Sequence, residues 1–190
     1  MEQEKQKTEE ELAAKIMEYS RDELMISMRF LDRALFRMPL VAADSVAAFG
    51  VDGATMYYNP EYVLHAFKKE KNACTRAFLH MILHCIFSHP FQYEKMDREC
   101  WDLATDLAVE QSILDLNLKC VELERDASLK RTLSHLAQKV PILTAEKIYR
   151  WLYENPEESA EFFREEPQFM WDDHLKWIPL KENEAGERRN

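Results

Sequence analysis

Residues 76–90 read RAFLHMILHCIFSHP, and the fold turns on this stretch. His80 and His84 stand four apart in an otherwise apolar run, and His89 follows immediately before Pro90. At steps of four, Arg76, His80 and His84 share one narrow face of a helix, while Phe78, Leu79, Ile82, Leu83, Ile86 and Phe87 cover the rest. A helix that is apolar nearly all round is buried, so the histidines look inward, toward groups that satisfy them. The pattern predicts a central helix over residues 71–88.

The rest of the chain suits that helix. At 190 residues it is long enough to bury a core without staples, and with 3 glycines and 7 prolines it offers few turns, so long helices should dominate. The expectation is one domain over 1–180 and a flexible polar tail over 181–190. A net charge of -10 argues against a binder of phosphate backbones, so no nucleic-acid role is expected. The apolar runs are too short and too interrupted to span a bilayer. The four cysteines form no C-x-x-C pair and the first residues, MEQEKQKTEEE, lack an apolar leader. Free thiols in a reducing cytoplasm are the simplest account.

Upstream, the first seven residues should fray. Thr8 with Glu11, then Ser20 with Glu23, make capping boxes, which predicts a kinked helix or two helices in series ending before Pro39. Residues 40–58 carry two of the glycines and many small or β-branched residues, and fit a β-hairpin turning at Val51-Asp52-Gly53. Asn59 caps a short helix that Pro60 opens. Downstream, a helix over 99–116 sets Asp102, Asp106 and Glu110 at i, i+4, i+8; spacing alone favours a solvated face for them. Residues 119–140 look irregular apart from a short helix over 129–138. Thr144 and Pro156 open the last two helices.

Two neutral imidazoles at i and i+4 on a rigid helix can reach one Zn²⁺. This is the histidine spacing of the His-Glu-x-x-His motif, with Met81 in place of the glutamate. Two residues compete as third ligand: His89, turned back by Pro90, and Asp106, carried in by an antiparallel partner helix. Two satisfied core histidines, with no metal, are the competing reading, and Cys85 reads as a small buried hydrophobe.

With these residues named, the chain resembles the metallopeptidase-like domain that precedes von Willebrand factor A-like domains in bacterial proteins, a family with a zincin-like fold. VDGATMYYNPEYV (51–63) resembles its Asp-Gly turn, strand and Asn-Pro helix start. HMILHCIFSH (80–89) resembles its histidine helix, and WDLATDLAVEQSIL (101–114) its Trp-Asn-x-Ala-x-Asp helix. TAEKIYRWL (144–152) resembles its Thr-Ala-Glu helix, and WDDHLKW (171–177) its Asp-x-His-x-x-Trp closing motif. The resemblance implies a mainly α (α+β) fold, a zincin-like helical domain with a small β-hairpin or sheet packed on the histidine helix. It implies His80 and His84 as metal ligands, completed by Asp106 or His89, with Zn²⁺ as the cofactor and His174 or Asp173 near the site. It also implies an edge strand over 54–58 along which a peptide could add, and a von Willebrand factor A-like domain as partner.

Met81 decides the functional expectation. The motif's glutamate takes a proton from metal-bound water, and such general-base help is worth about 10² to 10⁴ in rate. It is not a ligand, so metal can outlast its loss. The favoured reading is a degenerate, catalytically impaired, metal-binding domain acting as a binding or regulatory module. The alternatives are an active zinc hydrolase drawing its base from another carboxylate such as Glu110, and a metal-free helical scaffold.

Overall fold

A computed structural model describes residues 2–92, 94, 96–165, 170–172 and 174–177. Both Asp173 and the expected tail over 181–190 lie outside the described residues. The fold is mainly α with one small sheet, as expected. Its elements are α1 (Glu2–Ser27), α2 (Asp32–Arg37), β1 (Leu40–Ala42), β2 (Phe49–Val51), β3 (Met56–Tyr58), α3 (Pro60–Lys69), α4 (Ala73–Ile86), α5 (Arg98–Leu116), α6 (Asp126–Lys139), α7 (Ala145–Glu154) and α8 (Pro156–Glu165). Short 3-10 turns at Arg29–Leu31, His89–Phe91, Lys119–Val121 and Leu175–Trp177 punctuate them.

Local chemistry accounts for several of the boundaries. The Asn59 side chain accepts from the Tyr62 amide at 3.1 Å with Pro60 in the first turn, which fixes the start of α3. The Asp97 carboxylate does the same for α5, accepting from the Cys100 amide at 3.1 Å, and Asn117 ends that helix in the left-handed region at φ 49°. At the N-terminus the expectation of frayed residues is corrected. The helix starts at Glu2, and Thr8 lies inside it, its hydroxyl donating to the Glu4 carbonyl at 2.8 Å. A run of Glu, Lys, Gln and Ala propagates helix more strongly than one threonine stops it. Residues 126–139 form a longer helix than expected, because Leu129, Leu133 and Leu136 supply a buried stripe.

The hairpin forms where the sequence placed it. The Asp52 carboxylate accepts from the Ala54 and Thr55 amides at 2.9 and 2.7 Å and from the Tyr57 hydroxyl at 2.9 Å, while Gly53 turns the chain at φ 90°. The expected edge strand is a correction. The order is β1-β3-β2, with β1 parallel and β2 antiparallel to β3. Residues 56–58 are thus central, hydrogen-bonded on both sides, and cannot receive an added strand. The outer side of β2 is met by the closing segment through a parallel bridge between Phe49 and Asp172.

Two apolar clusters make the core. One joins α1, the sheet, α3 and the apolar sides of α4, with Met17, Phe49, Met56, Phe78 and Met81 fully buried. The other gathers α5, α6, α7 and α8 around Trp101, Leu107, Leu136, Ile148 and Phe162. The inward faces of α4 and α5 meet where the two clusters join.

Gly53 tests the hairpin. An added Cβ would lie 2.8 Å from Phe91 Cζ, on a backbone at positive φ. Gly53→Ala should cost about 1–3 kcal/mol in urea unfolding. Gly50→Ala should cost less, since its nearest obstacles, at 3.2 Å, are side-chain atoms of Lys176 and Val46 and its φ is not positive.

Candidate metal centre

Antiparallel α4 and α5 bring two ladders together, each at i, i+4, i+8. Arg76 donates from Nη2 and Nε to Glu110 Oε2 and Oε1 at 2.6 and 3.4 Å, and from Nη1 to the Val121 carbonyl at 3.1 Å. His80 Nδ1 meets Glu110 Oε1 at 2.8 Å. A carboxylate only accepts, so it holds a proton on Nδ1 and turns Nε2 inward, toward His84 and Asp106. That Nε2 lies 2.7 Å from His84 Nε2, and both lie 3.2 Å from Asp106 Oδ1.

The closing segment completes the group. His174 Nε2 is 3.2 Å from Asp106 Oδ1 and 2.7 Å from Asp172 Oδ1, and His174 Nδ1 is 3.0 Å from Asp102 Oδ1. His174 Nε2 and both Asp172 oxygens are buried yet make no hydrogen bond of good direction, despite that 2.7 Å approach. Buried polar atoms that stand close together without bonding one another are what an ion's ligands would be in its absence. The 3.2 Å separations around Asp106 match the roughly 3.3 Å expected between ligands of a tetrahedral ion bound at about 2.0 to 2.1 Å. The 2.7 Å contacts are shorter and would open around an ion.

Ligand-capable atoms of His84, Asp106, Asp172 and His174 lie within 4.8 Å of one another. His80 adjoins this set through His84 and Asp106, so imidazole and carboxylate donors both fit a divalent ion here. The site is shut: exposures are 0% for His80 and His84, 1% for Asp106, 3% for Asp172 and 2% for His174. Trp177 stacks on His174 with ring centroids 3.9 Å apart and also covers His84 at 5.0 Å.

Backbone strain flanks the centre. Ser88, just before His89, and His174 both have positive φ, 62° and 52°. Such conformations persist where surrounding structure over-determines them.

Burial, reinforced by the neighbouring His80, pushes His84 well below the usual histidine range, and burial takes His89 down to about 4. Both rings are neutral at pH 7, as His84 must be to serve as a ligand. Burial also works against a charged His174, but Asp172 and Asp106 overcome it and raise its pKa well above the usual value. Burial would likewise raise Asp106; His174 and its other histidine partners hold it well down. The carboxylates thus call for positive charge at this point. A protonated His174 supplies some of it, and a divalent cation would supply more.

Residues 17–179 match a family described as "Putative metallopeptidase domain". The chain belongs to that family. No curated protein and no solved structure matches it. Every member of the cluster falls inside the matched span.

Met81, the residue between His80 and Ile82 on α4, is fully buried in the core beneath the sheet. Glu110, the substitute base considered from sequence, is occupied by Arg76, His80 and a 3.0 Å hydrogen bond from Trp171 Nε1. Burial would raise it, but the His80 hydrogen bond and the Arg76 charge together bring it down to about 2. It is fully buried and orients His80. The structure gathers His80, His84 and Asp106 at one point. It does not bring His89 there, because His89 Nδ1 lies 3.0 Å from His84 Nδ1, behind the ring.

The acidic ladder of α5 is buried at Asp106 and Glu110, a correction to the solvated face that spacing favoured. Asp172 was missed by sequence reasoning. Its only signal was the doubled aspartate of the closing motif. Glu110→Ala would leave Arg76 buried against its secondary partner Asp126, 3.5 Å away, and strip His80 Nδ1 and Trp171 Nε1 of their acceptor. Breaking a buried pair in this way should cost about 3–5 kcal/mol in urea unfolding.

Proposed function

We propose that this chain is a zincin-like domain that binds one divalent metal ion, best suited to Zn²⁺, and performs no hydrolysis, its value being that of a metal-braced binding or regulatory module. The observation that carries the reading is the closed, mixed His/Asp centre with orphaned Asp172 and His174 atoms beside a buried methionine in the base position. Structural zinc sites are satisfied wholly by protein, whereas catalytic sites keep a position open for water.

His84, Asp106, Asp172 and His174, with His80 adjoining, would hold the ion. Zn²⁺ there would supply charge neutralisation and a cross-link between α4, α5 and the segment at 171–177. The chain's own residues account for the silence of the centre. Met81 cannot accept a proton, Glu110 is bound to Arg76, and Trp177 and His174 exclude water. Zn²⁺ is favoured over Mg²⁺ and Ca²⁺ because imidazole nitrogens suit the former and all-oxygen sets the latter.

Elemental analysis of untagged protein should find about one equivalent of zinc. His84→Ala and Asp106→Ala should lose it, while zinc at a hundredfold excess over Kd should raise wild-type stability by about 2.7 kcal/mol. Less than about a tenth of an equivalent, with no stabilisation on zinc addition, would sink the metal reading. Peptide hydrolysis by the wild type that His84→Ala abolishes would sink the claim of silence.

A further inference from the structure

The long first helix, α1, runs from Glu2 to Ser27, yet its buried stripe begins only at Ala13 and continues through Met17, Ser20 and Leu24. Before that stripe every described side chain from Glu4 to Leu12 is exposed. Helices in proteins draw most of their stability from tertiary packing, and here more than two turns bury no described side chain. This arm carries Glu10 and Glu11 beside Leu12, which is 50% exposed.

The other end of α1 has the opposite character. Ile26 is 74% exposed, and the 3-10 turn at Arg29–Leu31 then displays Phe30 at 76%. Arg29, Arg33 and Arg37 stand exposed around that turn and make no ion pair among the described residues. Residues 29–37 hold three arginines and one aspartate, a net charge of +2 in a chain of net charge -10.

A single outward line joins the two ends. At about 100° per residue, Leu12, Lys15, Asp22 and Ile26 fall within about 80° of one another, opposite the buried stripe, and all four are exposed. This line is complementary to itself when reversed, because Leu12 then meets Ile26 and Lys15 meets Asp22.

We propose that two copies of this chain associate through α1, antiparallel about a two-fold axis near Tyr19. Leu12 packs on the partner's Ile26, Lys15 pairs with the partner's Asp22, and the acidic arm lies along the partner's Arg29 and Arg33, with Phe30 beneath it. The symmetry makes each contact twice, as in any interface that joins the same patch of two subunits. Antiparallel packing also sets the opposite dipole ends of the two helices side by side. A nucleic acid or an anionic membrane would attract the +2 corner but repel the rest of an acidic chain, whereas a second copy brings an acidic, partly apolar arm that matches it. The inference is independent of the metal reading.

Sedimentation equilibrium of the full-length protein from about 1 to 200 µM tests it, and the mass should rise from 22.6 kDa toward twice that value. Lys15→Asp and Asp22→Lys each create two like-charge pairs across the axis, so each should weaken association at least about tenfold. The double variant restores opposite charges in the reversed sense and should return to within about threefold of the wild type. Arg33→Glu, facing the acidic arm, should also weaken association about tenfold. All three positions are exposed, so circular dichroism and urea unfolding of each dilute variant should match the wild type.

A monomer at every concentration, a dimer that neither single charge swap weakens, or a weakened dimer that the double swap does not restore would each overturn the proposal. Monomeric protein that binds phosphatidylserine vesicles and releases them on Arg33→Glu assigns the corner to a lipid surface and overturns it as well.

Discussion

Everything in this molecule depends on the pairing of two ladders across the α4–α5 interface. Arg76, His80 and His84 face Asp106 and Glu110, all of them buried, and Asp102 extends the acidic side toward His174. A buried charge costs several kcal/mol to desolvate and repays it only with good geometry and further hydrogen bonds. Here the geometry is shared: Glu110 serves Arg76, His80 and Trp171, and Asp106 stands within 3.2 Å of three imidazoles. Because each group has several partners, the helices have one workable register. The two apolar clusters supply the driving force for folding, and the ladder between them specifies how their helices align.

That dependence explains why the histidine helix disclosed so much from sequence alone. An apolar helix with a polar stripe at steps of four must be central, and the stripe must be met by its complement. The acidic steps of α5 were visible too, but spacing could not distinguish a solvated face from a buried one; only the packing of α6 to α8 over the other side of α5 turns Asp106 and Glu110 inward. The hairpin was legible because Asp52 and Gly53 carry turn chemistry. The central place of β3 was not, since β1 is only three residues long and joins in parallel after an irregular stretch. Asp172 was hidden for a similar reason. Its role depends on a long-range bridge to Phe49 that no local pattern encodes.

The cost of the buried polar centre is met unevenly, and this bears on what it can do. Glu110 and Arg76 satisfy each other without outside help, so their half of the ladder is complete in the protein alone. The other half is not: Asp172 and His174 approach closely but misaligned, and His174 adopts a left-handed backbone to get there. An arrangement of acceptors and strained imidazole around one point is poorly explained by hydrogen bonding and well explained by a shared cation. The satisfied half then serves as the rigid support, fixing the His80 tautomer and the ring plane from which the unsatisfied half is built.

The position of Met81 and the closure of the site belong to one physical argument. A general base needs both a proton to accept and a water to take it from, and the water needs an open place beside the ion. Under the proposed reading Asp172 and His174 would take the positions around the ion that such a water needs, and Trp177 stacks on His174. With that position filled, a glutamate at 81 would be a buried carboxylate with no water to activate, carrying the desolvation cost and returning nothing. An apolar side chain is the better occupant. Met81 packs with Phe78 and Met56 in the core beneath the sheet and so helps to hold α4 in place.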